Sequence, residues 1–449
     1  MASDRLIVVE KVTDLHGVDT HSRVVTAEEF ISERGSVRGP RKVINLCRNY
    51  DYLSLGYYCS LLAEARGDRV TPSVETILDL QHHRTQQASP ARRRSPALRH
   101  SAPRMDLAIL HDPSDPLPPS NLATLQRIVE VGQSMNIGVE LIRKKDYSRL
   151  TQFDALFIRE TTAVAHHTFE FAKKAAAEGM PVIDDPGSIL RCTNKAFLAE
   201  LLRENGISTP RTQLVSRRTL ARFENTLSYP VVLKVPDGSF SRDVKKAHDF
   251  AQFTEIAQAM FKESEIVLVQ DFMYTAYDWR VGVLAGAPLF VARYHMVRDH
   301  WQIIKHSGAG QSTEGRTEAV ALHDTPKCVL DTALSAARLI GDGFYGVDLK
   351  QTDAGAFVIE INDNPNLDVG AEDKVLGDEV YRRLLAHLLA RFESRKEITP
   401  WLMTGTTGTT GTTGMTITRG SHHGCNHRTS CSASTHAIEP RRLKSWRQR

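Results

Sequence analysis

Between Tyr345 and Pro365 two strongly apolar runs carry acids in mid-strand: Tyr345-Gly346-Val347-Asp348-Leu349-Lys350 and Phe357-Val358-Ile359-Glu360-Ile361-Asn362-Asp363-Asn364-Pro365. An unpaired carboxylate in apolar surroundings is costly, so such acids need a cationic partner or a metal. The connection Asp353-Ala354-Gly355 reads as a three-residue hairpin loop, whose last position needs positive φ and takes glycine. That loop pairs Asp348 with Glu360. Side chains two apart on a strand share a face, so Asn362 joins them. Two carboxylates and an amide oxygen on one face are hard ligands of the kind Mg²⁺ takes, with waters and phosphates completing the shell. Asp348, Glu360 and Asn362 are therefore candidate metal ligands. The competing reading, a solvated acidic hairpin, fits poorly with the apolar flanks.

Upstream, residues 1–83 read as a small folded unit, with strands at Leu6–Val9 and Lys42–Leu46 and a helix from Gly56 to Gly67. Residues 84–104 are rich in Arg, Ser and Pro and are expected to be a disordered linker. Over residues 105–190, strands at Asp106–His111, Val139–Ile142, Ala155–Arg159 and Pro181–Ile183 alternate with helices at Leu122–Met135 and Phe169–Ala177. Such alternation predicts a parallel α/β layer. The pattern changes over residues 191–397. A helix from Lys195 to Asn205, capped by Thr193 or Asn194, precedes antiparallel-looking strands at Val231–Val235, Ile266–Asp271, Trp279–Leu284, Leu289–His295, Tyr345–Gln351 and Ala356–Asn362. Leu376, Val380, Leu384, Leu388 and Phe392 mark one face of a last helix over Lys374–Lys396. Residues 398–449, a Thr/Gly repeat followed by a polar basic tail, are expected to be disordered. The fold class is thus α/β and α+β in one chain.

Composition excludes several classes. No apolar run is long enough to span a membrane. The six cysteines show no small-domain disulfide spacing, and the N-terminus lacks a signal-peptide core, which predicts a cytoplasmic protein. The net charge of +4 conceals an acidic body. Residues 84–104 hold six arginines and no acid, residues 416–449 hold seven basic residues and one acid, and the remainder is near −8. No folded basic face is expected, and no nucleic-acid partner.

Glu360-x-Asn362-x-Asn364-Pro365 with the upstream Gly346-Val347-Asp348 resembles the metal-site pattern of ATP-grasp ligases. Asp185-Pro186-Gly187-Ser188-Ile189-Leu190-Arg191-Cys192-Thr193-Asn194-Lys195 resembles the entry to the RimK-type (alpha-L-glutamate ligase) branch, and residues 1–83 resemble the N-terminal domain of some RimK-like proteins. The resemblance, which runs from about residue 105 to 397, implies an ATP-grasp fold behind a parallel pre-ATP-grasp layer. It also implies ATP and Mg²⁺ (or Mn²⁺) as cofactors. It assigns Lys195 and Lys234 to the nucleotide phosphates, Gly238 and Ser239 to the loop covering them, and Gln270 and Asp271 to adenine and ribose. Asp278 belongs to the nucleotide set, and Arg280 faces the transferred phosphate or acyl intermediate. Lys305, opening a second glycine-rich loop, is a candidate facing the substrate.

The chain departs from the family in its phosphate loop, Pro236–Val244, which has a single glycine and places Asp243 where glycine is expected. A carboxylate there repels phosphate unless a cation offsets it. Arg159 ends a strand of the parallel layer, where ligands collect, and is a candidate for holding a substrate carboxylate; a structural ion pair is the alternative. His166-His167 reads as a surface pair. The implied activity is amide formation through an acylphosphate, with release of ADP and phosphate. The acceptor would be an amino acid or a peptide or protein amine. Two other readings stay open: a regulatory ATP-binding protein with little turnover, and a small-peptide or glutathione-like synthetase.

Overall fold

The computed structural model describes residues 5–11, 23–33, 41–82, 103–237, 244–298, 300–306 and 312–398. Three layers follow one another along the chain. The first contains β1 (Arg5–Val9), β2 (Arg23–Thr26), α1 (Ala27–Ser32), β3 (Lys42–Asn45), α2 (Leu55–Ala65), β4 (Arg69–Thr71) and α3 (Val74–His82). Its strands lie in the order β2-β1-β3-β4, all parallel. Two of these strands were expected. β2 and β4 span only four and three residues and offer too little pattern to stand out. Ser54 caps α2 by accepting from the Tyr57 amide, and Gly67 closes the helix end at φ +74.

The second layer repeats this topology. It comprises β5 (Met105–Leu110), α4 (Leu122–Ser134), β6 (Ile137–Ile142), β7 (Ala155–Ile158), α5 (His167–Ala177) and β8 (Val182–Ile183), with a parallel sheet ordered β6-β5-β7-β8. β7 is buried at every position, as a strand covered on both faces must be.

Helices α6 (Pro186–Thr193) and α7 (Lys195–Glu204) then lead into two antiparallel sheets. Strands β9 (Thr212–Ser216), β10 (Val231–Lys234), β11 (Val244–Ala247) and, after α8 (Phe250–Met260), β12 (Ile266–Asp271) form one, ordered β11-β10-β12-β9. The other uses β13 (Tyr277–Leu284) and β14 (Ala287–His295). A two-stranded ladder, β15 (Ile304–His306) with β16 (Ser312–Glu314), intervenes before β17 (Thr317–Val320). After α9 (Lys327–Arg338), β18 (Phe344–Thr352) and β19 (Gly355–Asn362) complete the order β17-β14-β13-β18-β19. The last helix, α10 (Glu379–Ile398), starts five residues later than expected, because turns occupy the residues before it. Leu376 still packs beside Val380, Leu384, Leu388 and Phe392 in one core cluster.

The first layer is not an appendage. One contiguous core runs from Leu6, Tyr57 and Leu61 through Leu110 and Phe171 to Phe197 and Leu268. Between α2 and α7, Arg66 Nε lies 2.5 Å from Glu200 Oε1, with both side chains almost fully buried. The expected linker 84–104 and tail 398–449 fall outside the described residues, apart from Pro103, Arg104 and Ile398. Among the described residues no helix is long and apolar enough to cross a membrane.

Candidate active site

The acid hairpin forms, and Asp348 pairs with Glu360, but by a different route from the one expected. The connecting loop has two residues, since Thr352 already pairs with Gly355, whose φ is +124. That register alone would set Asp348 opposite Ile359. A bulge between Asp348 and Leu349 restores it: Leu349 pairs with Val358 while Asp348 pairs with Glu360, so Ile359 is the extra residue. Gly346 is required beside this pair, because a Cβ there would come within 2.5 Å of Pro365 and 3.0 Å of Arg280 Cδ.

The chain's own cations stand against these acids. Arg280 on β13 forks over Asp348, with Nη2 2.8 Å from Oδ2 and Nε in a still shorter contact. Burial works against the guanidinium charge, and Asp348 outweighs it. Lys195 Nζ lies 3.0 Å from Glu360 Oε1. Burial raises the Glu360 carboxyl, but Lys195 and Lys234 outweigh it and leave it below the usual range. Asn362 completes the face, its Nδ2 3.3 Å from Asp348 Oδ2, and a half-turn of that amide presents oxygen instead. Two carboxylates and an amide oxygen fit a divalent cation.

Two clefts meet at Lys195 and Glu360, which line both. The first lies between the two antiparallel sheets and is lined by Lys195, Lys234, Gln270, Asp271, Asp278, Asp348, Lys350 and Glu360 among others. Its far end is apolar, with Val244, Phe272, Met273, Trp301 and Ile303. Phe272 and Trp301 meet edge to face at 5.8 Å, and Lys246 Nζ stands 4.6 Å from the Phe272 ring. An apolar end for a base and a cationic end for phosphates is the polarity a nucleotide needs. Lys234 donates to Gln270 Oε1 at 2.8 Å, and Gln270 donates onward to Thr212. Burial lowers the Lys234 ammonium to about 8, helped by Lys195 and Lys350 and opposed by Glu360. Lys195 is the first residue of α7, whose opening amides are already bonded, Lys195 to the Pro236 carbonyl and Ala196 and Phe197 to Asn194 Oδ1, so its contribution is the side-chain ammonium. The second cleft, of about 210 Å³, is lined by Pro119, Thr161, Thr162, Thr193, Lys195, Asp237, Glu360, Asn362 and Asp363 among others. Burial pushes Asp363 up to about 7. A larger cavity of about 930 Å³ lies beyond α7 against Ser32, and neither the lysine pair nor the acid face lines it.

Most candidate residues thus converge, but some do not. Asp278 lines the first cleft but is already paired with Lys350, Oδ1 2.6 Å from Nζ. Arg159, expected to meet a substrate carboxylate, is 1% exposed and spends its guanidinium on the protein. It donates to Ser120 Oγ, to the carbonyls of Pro119 and Pro365, and to Asn364 Oδ1 at 2.6 Å. Nor does it form an ion pair with Glu160, which instead meets His167 Nε2 at 2.6 Å. The expected surface pair His166-His167 therefore has one member tied to a buried acid. Gly238, Ser239 and Asp243 fall outside the described residues, as does the side chain of Lys305. Lys350, Lys246, Asp237 and the Phe272–Trp301 pair were missed. Lys350 was findable, standing two residues beyond Asp348 on the same strand face.

Two family descriptions match the chain: the RimK-like ATPgrasp N-terminal domain over residues 27–106 and the RimK-like ATP-grasp domain over residues 192–388. The chain carries a RimK-like ATP-grasp N-terminal domain and a RimK-like ATP-grasp domain. It is an ATP-grasp ligase, a class that binds ATP and a divalent metal and forms amide bonds. Similar proteins include the alpha-aminoadipate–LysW ligase LysX of Saccharolobus solfataricus, 27% identical over 256 residues, or 54% of this chain and 88% of that one. A probable alpha-L-glutamate ligase of Psychromonas ingrahamii is 27% identical over 223 residues, covering 49% of this chain and 71% of the relative. The crystal structure of the D-cycloserine synthetase DcsG shares the fold at 15% identity and a TM-score of 0.50, covering 64% of this chain and 99% of that one. The RimK-like match covers the whole lining of the first cleft and that of the second from Cys192 onward, while Pro119, Thr161 and Thr162 come from the parallel layer before it.

Proposed function

We propose that this ligase phosphorylates a substrate carboxylate with ATP and joins the resulting acyl group to an amine, with Mg²⁺ (or Mn²⁺) held by Asp348, Glu360 and Asn362. The carrying observation is the meeting of the two clefts at Lys195 and Glu360, so that a nucleotide's terminal phosphate and an acceptor would meet beside one oxygen-ligand face. In this reading adenine lies among Phe272, Met273 and Trp301. Lys195, Lys234 and Lys350 bind phosphates, and Asp271 at the end of β12 meets the ribose. A divalent metal held by Asp348, Glu360 and Asn362 would supply charge neutralisation to the phosphates. The donor carboxylate oxygen takes the γ-phosphoryl group and ADP leaves. The neutral amine nitrogen then attacks the acyl carbon and gives up a proton to water, the carbon–oxygen bond breaks, and phosphate departs with that electron pair. Arg280 stands beside the developing charge. Glutamate and α-aminoadipate, each with both a carboxylate and an amine, are the first candidate substrates given the names of the similar ligases. The acceptor is the amine of an amino acid, peptide or protein.

Hydroxylamine tests this directly. With ATP, metal and the correct acid, it should intercept the acylphosphate as a hydroxamate, with stoichiometric ADP and phosphate. AMP and pyrophosphate as products would mean adenylation and sink the mechanism.

A pH profile tests Lys234. Its folded-state pKa is depressed to about 8, and the form that binds phosphate is the cation. ADP affinity measured by calorimetry should therefore weaken several-fold as pH rises through about 8. Lys234→Arg stays charged over that range and should flatten the fall. An identical profile in the variant would remove Lys234 from the phosphate site.

A further inference from the structure

The first layer sends a side chain into the active site. In a sheet ordered β2-β1-β3-β4, the chain leaves β1 in one direction and returns to β3 in the other, and open α/β sheets bind ligands at the carboxyl ends of such a pair. Here that place is filled from within. Glu10, just beyond β1, accepts from the backbone amides of Arg48 at 2.9 Å and Asn49 at 3.0 Å through Oε1. The loop beyond is pinned at both ends: the Tyr50 hydroxyl donates to the Asn45 carbonyl at 2.6 Å, and Ser54 caps α2. From this loop Tyr52 reaches across and donates a hydrogen bond to Asp237 Oδ2. The Tyr57 ring braces it edge-on at 5.1 Å.

Asp237 is fixed on its other side as well. It forms a β-bridge with Asn194, and the preceding carbonyl of Pro236 accepts from the Lys195 amide at 2.7 Å. Asp237 lines the second cleft with Lys195, Glu360 and Asn362. With Glu360 and Asn362 assigned to the metal and Lys195 to phosphate, Asp237 is a carboxylate left in that cleft to meet a cation. A carboxylate substrate would be repelled there, whereas an ammonium would gain a charge-assisted hydrogen bond. Burial raises the Asp237 carboxyl, against the Tyr52 bond and Lys195, so a further cationic partner is stabilising. Burial also pushes the Tyr52 hydroxyl far up, which keeps it a neutral donor.

We propose that Tyr52 is a positioning residue of the ligase active site: it holds the Asp237 carboxylate at the wall of the acceptor cleft, and that carboxylate receives the ammonium group of the amine acceptor. The proposal rests on the ligase reading and gives the N-terminal layer a part in acceptor recognition.

The test compares two small nucleophiles on the full-length protein with the same donor acid and Mg-ATP. Methylamine is a cation at neutral pH, and hydroxylamine is neutral. The ratio of methylamide to hydroxamate should fall about tenfold in Asp237→Asn, the scale of one lost charge-assisted hydrogen bond. It should fall several-fold in Tyr52→Phe, and Tyr52→Phe should add nothing in the Asp237→Asn background. A ratio unchanged in both single variants overturns the proposal, whatever happens to the absolute rates. So does an additive effect in the double variant, since Tyr52 would then act by another route. Absence of hydroxamate from the wild type is a separate result and counts against the ligase reading itself.

Discussion

Replacing Glu360 by glutamine is expected to lower Mg-ATP-dependent turnover about a thousandfold while leaving the fold intact. The substitution keeps size and removes one charge from the face where Asp348, Glu360 and Asn362 converge. A bound metal contributes several kcal/mol of charge stabilisation to phosphoryl transfer, which converts to about that factor. The loss has a second part. In the free protein Glu360 stands 3.0 Å from Lys195, so the variant also removes one negative charge from beside that lysine. ATP binding should therefore weaken much less than turnover, because a less neutralised lysine attracts phosphate more strongly. Measuring kcat by ADP release and nucleotide affinity by calorimetry separates the two. Near wild-type turnover in Glu360→Gln would remove the metal site from its assigned place.

The elements that carry chemistry were the most legible in the sequence, and the reason is physical. Acids inside apolar strands are rare enough to be informative, and strand alternation then fixes which of them share a face. Asp348, Glu360 and Asn362 were found that way, although the loop was one residue shorter than expected and the bulge at Ile359 absorbed the difference. Two errors of opposite sense cancelled, because turn length and bulges trade against each other without changing which side chains face inward. The helix from Lys195 was equally plain, with Asn194 capping it and Gly206 at φ +68 closing it. What was hidden depended on long-range contact. The Tyr52–Asp237 hydrogen bond joins residues 185 positions apart, and no local pattern announces it. The partnership of Arg280 with Asp348 was hidden for the same reason: the two meet only because β13 pairs with β18 in that register.

Arg159 was the clearest misreading, and it supports a prediction of comparable size. The end of a parallel strand is a sound place to look for a ligand-binding arginine. Here the loop carrying Pro119 and Ser120 and the turn at Asn364-Pro365 close over that end and take the guanidinium between them. Arg159 thereby ties the parallel layer to the residues just after β19. Burial lowers its pKa to about 10, with Asp368 and Asp184 opposing, so it stays charged at neutral pH. Arg159→Met removes the donors and leaves two carbonyls, the Ser120 hydroxyl and the Asn364 amide oxygen without them. At about 1–3 kcal/mol for each buried group left unsatisfied, partly recovered by water, the cost should be about 3 kcal/mol or more in chemical denaturation. Arg159→Lys should recover little of it, because one ammonium cannot span partners arranged for a planar fork. If Arg159 instead held a substrate carboxylate, both variants would keep their stability within about 0.5 kcal/mol, as unconstrained sites do, and raise KM for the donor acid alone. That pattern would return Arg159 to the binding site.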